Sequence, residues 1–438
     1  MARKLFGTDG VRGVAGEFLT AELSLGLARA ATERIGAPAP RVLVIRDTRE
    51  SGEMLEAAVA AGIAAAGGEA LLGGVLPTPG APLLLGRHGL DLGVVISASH
   101  NPYRDNGVKF FGGDGFKLSD DTESAIEAAL DDPPRPTADV GAVRRLHGAL
   151  EDYLRGLHQR FAALDLTGRR VLLDCANGAT HRAAPEIFRR LGAAVDVLAA
   201  APDGRNINAG CGSTHVDALA AYVREHGHDA GFAFDGDGDR VLAVDRHGVV
   251  VDGDELIALA ALHLRSAGRL PGGGVAVTVM TNYGFHTAMR AAGVEVATTP
   301  VGDRYVLEAL RERGWALGGE QSGHIIDTGF VPSGDGIAAA LLTLEALQGG
   351  DLADRHAMEK LPQRLVNVRF ADRGALTSAV DAIAADVGAE SAALAGRGRV
   401  LVRPSGTEPL VRVMVEAPTA DEADAVCGRL VAAVEAAG

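Results

Sequence analysis

The sequence has few cysteines and no excess of positive charge. The 438-residue chain carries a formal net charge of -15, whereas non-specific binding to nucleic acid or an anionic membrane requires clustered positive charge. We therefore expect neither nucleic acid nor a membrane as a partner. The three cysteines are odd in number and widely spaced, which predicts free thiols in a cytoplasmic protein rather than a disulfide framework.

The sequence also lacks targeting and membrane-spanning patterns. Its first residues, MARKLFGTDGVRG, have no apolar core of the kind found in signal peptides. The most apolar region, residues 57–86, is interrupted by Glu69, three prolines and several glycines, which excludes a transmembrane helix. Hydrophobic residues make up 47% of the chain, enough to build cores for several domains of ~100–200 residues each.

Lysine is the scarcest charged residue type. Only four of the 42 basic residues are lysines, at positions 4, 109, 117 and 360. Because arginine does not release its proton in proteins, a retained lysine can mark a place that needs a titratable amine. Lys109, ten residues after Ser99, is the candidate for such a role.

One strand–helix–strand–helix–strand order occurs three times, beginning at Val42, Val171 and Val275. In each copy the third strand ends in an unusual polar loop; these loops are SASHNP (97–102), DGDGDR (235–240) and GEQSGH (319–324). The shared order predicts parallel pairing of the three strands, with helices on both faces of each sheet.

The pattern changes after about Leu365. Three further strands and two helical stretches, Ala375–Val387 and Ala420–Ala437, predict a smaller α+β domain with an antiparallel sheet and helices on one face. The expected fold class is thus α/β, with three repeated mixed-sheet α/β domains and a C-terminal α+β domain. Polar or proline-bearing stretches place the expected domains at residues 1–148, 149–248, 249–363 and 364–438.

The first polar loop follows an apolar strand and contains Ser97 and Ser99. Open α/β sheets bind ligands at the carboxyl ends of their strands, so a serine at this point is a candidate nucleophile. The alternative is that both serines only cap the next turn. The matching position of a polar loop in all three copies favours a functional role for Ser99.

Asp235, Asp237 and Asp239 alternate with glycines directly after an apolar strand. Three carboxylates at this spacing can converge on one divalent cation and leave positions open for a phosphate oxygen. An EF-hand would need glycine and glutamate where Arg240 and Arg246 stand, so that motif is excluded. A plain acidic surface turn is the alternative.

A second candidate for anion binding lies near the C-terminus. Arginine, two hydroxyl groups and a glycine-flexed backbone are typical of a phosphate-binding turn, and a plain hairpin turn is the alternative. The residues concerned are Arg403, Ser405, Gly406, Thr407 and Arg412. No lysine follows a glycine in the pattern of an ATP-binding P-loop, which disfavours that class of enzyme.

The third polar loop is suited to a neutral ligand. Glu320 and Ser322 can accept from and donate to sugar hydroxyl groups, and His324 completes the loop. In the N-terminal GTDGVRG stretch, Arg12 is a candidate second anion contact near the nucleophile, with an ordinary glycine-rich turn as the alternative.

Together these motifs resemble those of the α-D-phosphohexomutases. FGTDGVRG, ISASHNP, NGVKFF, DGDGDR, GEQSGH and RPSGTEP occur in the family's order along the full length of the chain. The FGTDGVRG start, Ala98 and Gln321 are similar to the branch that acts on glucosamine phosphates rather than mannose or glucose phosphates.

The resemblance implies four domains around a central cleft, each contributing one loop. It implies that Ser99 is carried as phosphoserine and that one Mg²⁺ is held by its phosphate and by Asp235, Asp237 and Asp239. The expected reaction interconverts glucosamine 6-phosphate and glucosamine 1-phosphate through a glucosamine 1,6-bisphosphate that turns end for end. Its product would feed synthesis of UDP-N-acetylglucosamine and cell-wall precursors. We expect a small-molecule sugar phosphate as the partner and a monomer or homodimer as the assembly.

Phosphoryl transfer leaves a protein mainly positioning and charge stabilisation to supply, and this assigns the remaining roles. Arg240 and Arg12 would stabilise charge near Ser99. Lys109 is the first choice for the proton carrier, because an amine lying between cations has a lowered pKa; His100 is the alternative. Glu320, Ser322 and His324 would hold the sugar, and the C-terminal turn would hold the second phosphate.

Three other hypotheses are compatible with parts of the pattern. The nearest keeps the mechanism and changes the sugar to mannose or glucose phosphate. Another is a regulator that binds a divalent cation through DGDGD without catalysis. A serine hydrolase is the third, but the chain has no G-x-S-x-G elbow.

Overall fold

The computed structural model describes residues 5–7, 9–130, 132, 139–405 and 408–437. The chain divides into two compact units, one formed by residues 1–279 and 297–355, the other by residues 280–296 and 356–438. The first unit holds most of the three repeats. The second holds the C-terminal domain together with one segment of the third repeat.

The first repeat forms a six-stranded sheet with the strand order β1-β5-β4-β2-β3-β6. Its elements are β1 (Val11–Val14), α1 (Ala21–Glu33), β2 (Arg41–Arg46), α2 (Gly52–Ala65), β3 (Glu69–Val75), α3 (Gly80–His88), β4 (Leu92–Ile96), β5 (Asp105–Gly112), α4 (Asp120–Ala128) and β6 (Ala142–Arg145). Strand β2 pairs in parallel with both β3 and β4, as the sequence predicts.

Alternation along β2 explains why helices cover both faces of this sheet. Val42 and Val44 point to one face, into a core built with α1, α2 and α4. Leu43 and Ile45 point to the other face, into a core that includes α3. Because successive strand residues face opposite sides, a continuously apolar strand requires cover on both.

The second and third repeats form smaller sheets, with the orders β11-β10-β9-β7-β8 and β13-β12-β14-β15. The elements are α5 (Ala149–Arg160), β7 (Arg170–Asp174), α6 (Thr180–Arg190), β8 (Ala194–Leu198), α7 (Asp217–His226), β9 (Ala230–Phe234), β10 (Val241–Asp245), β11 (Val250–Val251), α8 (Gly253–Ser266), β12 (Gly274–Thr278), α9 (Tyr283–Ala291), β13 (Glu295–Thr299), α10 (Asp303–Arg313), β14 (Leu317–Gly319), β15 (Ile325–Asp327) and α11 (Gly336–Leu347). Parallel pairing is confirmed for β7 with β8 and β9, and for β12 with β14.

A return strand follows each polar loop. Strands β5, β10 and β15 pair antiparallel with β4, β9 and β14, the strands that lead into the three loops. Each polar loop is therefore the tip of a hairpin as well as the end of a parallel strand. This arrangement makes the sheets mixed and fixes both ends of each loop.

The C-terminal domain is a three-stranded antiparallel sheet in the order β16-β18-β17, as predicted. Its elements are β16 (Gln363–Arg369), α12 (Leu376–Ala382), α13 (Ala384–Ala393), β17 (Arg399–Pro404), β18 (Leu410–Glu416) and α14 (Ala420–Ala436). Short 3-10 turns occur at Pro271–Gly273, Leu352–Asp354 and Arg373–Ala375. The domain has its own apolar core between the sheet and the helices.

The helical stretch expected at Ala375–Val387 contains two helices, Leu376–Ala382 and Ala384–Ala393, which meet at Ile383. Ile383 is buried in the domain core. The apolar spacing Leu376, Val380, Ile383 and Val387 continues across this break without a change of period, so the pattern does not reveal it.

The domain limits expected from the sequence stay a prediction, and most of the seam at residues 131–140 lies outside the described residues. Within the described part of the chain, no helix has both the length and the apolar character needed to cross a membrane.

Candidate functional site

The first and second polar loops touch each other directly. The Ser99 hydroxyl donates to Asp235 Oδ2 at 2.6 Å. A Cβ atom at Gly236 would lie 2.5 Å from the carbonyl oxygen of Ser99, so the two backbones approach more closely than any side chain would permit. The structure thus brings the candidate nucleophile to the candidate metal loop.

Ser99 has an unusual backbone conformation, with φ of 53°, which non-glycine residues rarely adopt. Its amide N–H donates to Ser97 Oγ at 2.9 Å, and the Ser97 hydroxyl donates to Asp47 Oδ2 at 2.6 Å. Arg46 and Ile96 are register partners at the ends of β2 and β4, which is why Asp47 and Ser97 meet. Ser97 therefore supports the turn that presents Ser99.

Arg49 is the main support of the Ser99 loop. Its guanidinium forms a fully buried ion pair with Asp47 at 2.8 Å. It also donates to four backbone carbonyl groups of the loop and its continuation, those of Ser99, Asn101, Pro102 and Asp105. Asn208 donates to two of the same carbonyls, at 2.9 and 3.1 Å. The backbone of the loop is thus held from both sides.

Sequence reasoning missed Asp47, Arg49 and Asn208. A signal for the first two was present, since RDTRESG follows strand β2, whose carboxyl end lies beside that of β4. No comparable signal marked Asn208, because its role depends on contact between two repeats.

The three aspartates of DGDGD form the candidate metal centre. All are buried, and one oxygen from each lies within 4.8 Å of the others. Among the described residues, Asp237 Oδ1 and Asp239 Oδ1 are buried without a hydrogen-bond partner. Burial, with the nearby charges of Asp239 and Asp237, raises the pKa of Asp235 well above its usual range. A divalent cation would satisfy these oxygens and relieve the repulsion, so the residues fit one.

The expectation that the pKa of Lys109 is lowered is wrong. Its Nζ lies 2.8 Å from both Asp9 Oδ2 and Asp237 Oδ2, and 3.9 Å from Asp239 Oδ2. Burial opposes the charged form, but the carboxylates of Asp237 and Asp9 outweigh it and raise the pKa of Lys109. The sequence-based expectation counted only cations nearby along the chain and missed Asp9, which antiparallel pairing of β1 with β5 brings close.

His100 lies beside Ser99, and the charges of two arginines act on His100. The His100 Nδ1 atom lies 3.3 Å from Ser99 Oγ. Burial, followed by the charges of Arg240 and Arg12, lowers the pKa of His100 and favours its neutral form. Arg240 Nε lies 3.8 Å from Asp239 Oδ1, and Arg12 donates to Asp9.

The third polar loop is close to the metal loop through His324. Its Nδ1 atom lies 3.6 Å from Asp239 Oδ2, and its Nε2 accepts the Gly334 N–H at 3.2 Å. Glu320 Oε1 accepts the Gly302 N–H at 3.0 Å, while Ser322 is exposed. The structure therefore brings His324 to the aspartates and leaves the Ser322 hydroxyl accessible.

The candidate phosphate turn lies in the second unit. Arg403 and Arg412 are direct register partners on β17 and β18. Burial and the charge of Arg412 lower the pKa of Arg403, and Arg412 Nε is buried without a hydrogen-bond partner in the described part of the chain. Like charges placed directly opposite each other destabilise a sheet unless an anion lies between them.

The rest of this turn is only partly described. Ser405 is buried, and its Oγ accepts the Glu408 N–H at 3.3 Å. Gly406 and Thr407, which the sequence also places in the phosphate turn, lie outside the described residues.

Comparisons with known proteins agree along the whole chain. Family models for phosphoglucomutase/phosphomannomutase match residues 3–135 as alpha/beta/alpha domain I, 151–248 as domain II, 252–365 as domain III and 365–433 as the C-terminal domain. Two similar relatives are the phosphoglucosamine mutases of Moorella thermoacetica and Bacillus subtilis. They are 51% and 47% identical to the chain, and in both alignments 98% of each sequence is covered.

Among solved structures, the fold is similar to a phosphoglucomutase/phosphomannomutase family protein from Burkholderia thailandensis. The TM-score is 0.85 at 24% identity, with 99% of this chain and 97% of the other covered.

The buried Arg49–Asp47 pair generates a first prediction. Arg49→Met removes the cation and leaves the Asp47 carboxylate buried and unpaired, which should lower the free energy of unfolding by ~3–5 kcal/mol. Urea unfolding monitored by circular dichroism measures the change. Arg205→Met is the matched control, since Arg205 is exposed and pairs with Glu50 at the surface; it should shift the midpoint little. Equal shifts for both variants would show that Arg49 is not a support of the loop.

The unpartnered aspartate oxygens generate a second prediction. Asp239→Asn keeps the shape of the side chain but removes a charge, so Mn²⁺ affinity measured by electron paramagnetic resonance should fall by ~10-fold or more. Asp217→Asn, at an exposed aspartate of the same repeat, should bind Mn²⁺ as the wild type does. Unchanged affinity in Asp239→Asn would contradict a metal centre at DGDGD.

Proposed function

The chain belongs to the phosphoglucomutase/phosphomannomutase family, and on this basis we propose that it interconverts glucosamine 6-phosphate and glucosamine 1-phosphate. The proposal rests mainly on the contact between the Ser99 hydroxyl and Asp235. Ser99 is buried and has a strained backbone, and Asp235 belongs to a cluster of three aspartates in which two oxygens have no hydrogen-bond partner among the described residues. Relatives close to half identical over nearly the full length are phosphoglucosamine mutases, which favours glucosamine over mannose or glucose phosphate.

Ser99 is the residue that carries the phosphoryl group in this proposal. The bond from phosphorus to Ser99 Oγ breaks as a bond forms to the free sugar hydroxyl, whose proton is released. The resulting glucosamine 1,6-bisphosphate turns end for end, and Ser99 takes back the other phosphoryl group. The rigid support from Arg49 and Asn208 suits this role, because a fixed nucleophile spends little free energy on orientation.

Asp235, Asp237 and Asp239 would hold one Mg²⁺ together with the Ser99 phosphate. When bound, the cation withdraws charge from the transferring group. Asp237 is already fixed by Thr78, whose hydroxyl donates to its Oδ2 at 2.7 Å. The Oδ2 atom of Asp237 is therefore held in place, while its Oδ1 atom is available for the cation.

Positive side chains would stabilise the charge that develops during transfer. We assign this task to Arg240 and Arg12, and to Lys109 as a fixed cation rather than as the proton carrier expected first. His100 is the better candidate to give Ser99 Oγ the proton that this oxygen takes up as the phosphoryl group leaves, and to take it back when Ser99 accepts the second phosphoryl group, because its ring nitrogen lies 3.3 Å from Ser99 Oγ.

The sugar and its second phosphate need further contacts. We propose that Glu320, Ser322 and His324 bind the sugar, with Glu320 facing the protonated amine of glucosamine. The distal phosphate would bind to Arg403, Arg412, Ser405, Gly406 and Thr407. The opposed arginines support this assignment, since a phosphate dianion between them converts repulsion into two charge-assisted contacts.

We propose further that the enzyme works in the cytoplasm and supplies a precursor of UDP-N-acetylglucosamine and the cell wall. Cys175, Cys211 and Cys427 are free thiols, as is usual in a reducing compartment. The expected assembly, a monomer or a homodimer, stays a prediction.

The phosphoserine mechanism generates a third prediction. Ser99→Ala should abolish turnover and remove a phosphate-sized excess from the intact mass of the purified protein, while Mn²⁺ binding persists. Ser266→Ala, at an exposed serine at the end of α8, should keep both the mass excess and the activity. Turnover surviving in Ser99→Ala would refute the mechanism, and a wild type without mutase activity would leave only a cation-binding protein.

The choice of sugar generates a fourth prediction. The ammonium group of glucosamine 6-phosphate offers a positive charge to the site's carboxylates, which the hydroxyl of glucose or mannose 6-phosphate does not. We expect kcat/KM to favour glucosamine 6-phosphate by ~10-fold or more. Coupled assays with the three substrates at matched Mg²⁺ measure it, and a preference for a neutral sugar would point to the phosphomannomutase or phosphoglucomutase activity instead.

A further inference from the structure

Six side chains form a closed ring in which nitrogen-bearing and carboxylate groups alternate. In order they are Lys109, Asp9, Lys117, Asp303, His324 and Asp239, and we call this set the charge ring. Lys109, Asp239 and His324 belong to the motifs already described. Lys117, Asp9 and Asp303 lie outside the proposed mechanism and need a separate explanation.

Lys117 closes the part of the ring furthest from the metal loop. Its Nζ lies 2.5 Å from Asp9 Oδ1 and 2.6 Å from Asp303 Oδ2. Each of these aspartates has a second partner in the ring. Asp9 Oδ2 lies 2.8 Å from Lys109 Nζ, and Asp303 Oδ2 lies 3.6 Å from His324 Nε2.

Strand pairing explains how Lys117 reaches this position. Its backbone forms an antiparallel bridge with Phe111, and Phe111 is two residues after Lys109 on β5. Residues i and i+2 of a strand share a face, and a directly opposed residue shares it too. The two lysines therefore stand on the same face of the first sheet and converge on Asp9 between them.

The ring joins all three α/β repeats. Asp9, Lys109 and Lys117 come from the first repeat, Asp239 comes from the second, and Asp303 and His324 come from the third. Asp303 is the first residue of α10, where the helix dipole also favours a carboxylate. Every member is at least four-fifths buried, so the pairs are only weakly screened by water.

Lys117 is held in its charged form. Burial favours the neutral amine, but Asp303 and Asp9 outweigh it and raise the pKa of Lys117. Without this cation, two carboxylate oxygens now within 2.6 Å of one nitrogen would face each other. Their repulsion would displace Asp9 from Lys109 and move Asp303 from its position 3.6 Å from His324 Nε2.

We propose that Lys117 is a positioning residue for the phosphoryl transfer, which orients Lys109 through Asp9 and holds Asp303 in place beside His324 without touching the substrate. The proposal rests on the proposed function. In this role, Lys117, which lies outside the three polar loops, holds side chains from the first and third repeats in position at the reacting centre.

The test compares Lys117→Met with the wild type on glucosamine 6-phosphate, with enzyme concentration corrected for the fraction that carries phosphoserine. We expect kcat to fall ~10–100-fold, as for a misplacement of about 1 Å, while KM changes less than about threefold because substrate contacts are intact. Lys360→Met, the same substitution at an exposed lysine, should leave both constants unchanged.

A second variant separates positioning from stability. In Lys117→Met/Asp303→Asn the unpaired carboxylate at position 303 is removed, so the loss in kcat should be smaller than the product of the two single losses. If Lys117→Met does not fold, the isosteric Asp303→Asn alone makes the same comparison of kcat with KM.

Three outcomes would overturn the proposal. A lowered melting temperature with wild-type kcat would make Lys117 purely structural, and losses that multiply in the double variant would make the two residues independent. A wild type without turnover on any sugar phosphate would refute the proposed function and this inference together, whereas the first two results leave the function standing.

Discussion

Burial of carboxylates is the constraint on which the site depends. Asp235, Asp237 and Asp239 are buried, and the side chains of Asp9 and Asp303 are each 19% exposed. Isolated charges in such a place cost several kcal/mol each unless opposite charges compensate them. Lys109 and Lys117 provide that compensation for Asp9, Asp237, Asp239 and Asp303, whereas burial and the neighbouring carboxylates raise the pKa of Asp235. A lysine-poor chain thus keeps two of its four lysines where a compact ammonium can contact several carboxylates at once, which a planar guanidinium does less well.

The loops meet because of the topology rather than any local preference. Parallel pairing places the carboxyl ends of β2 and β4 side by side, which sets Asp47 against Ser97. Antiparallel return strands then fix the far end of each loop. At the junction of two repeats, Gly236 removes the one side chain that would keep Ser99 away from the aspartates. Backbone geometry therefore creates the contact, and the buried Arg49 keeps it in place.

The sequence predicted those parts of the fold and of the site that depend on apolar periodicity or on a short local motif. Three repeats, their parallel strands and the position of each polar loop follow from apolar patterning, and DGDGD follows from spacing. Mixed sheets were predicted, but the return strands that make them mixed were not placed, because these strands are short and their apolar residues show no clear alternation after the polar loops. The surroundings of Lys109 were predicted wrongly, since Asp9 reaches it only through the register of β1 on β5, a pairing of residues about a hundred positions apart. Asn208 and Lys117 act across repeats, and no local signal marks such contacts.

The two units have opposite electrostatic deficits. Among the described residues of the first, Asp237 Oδ1 and Asp239 Oδ1 are buried without a hydrogen-bond partner. In the second, Arg403 and Arg412 are opposed on neighbouring strands, and Arg412 also pairs with Glu408 at 3.8 Å. A divalent cation would satisfy the aspartate oxygens of the first unit, and a phosphate group would separate the two arginines of the second. The second unit has its own apolar core, which includes residues of both strands that carry the two arginines and so fixes the position of their backbones.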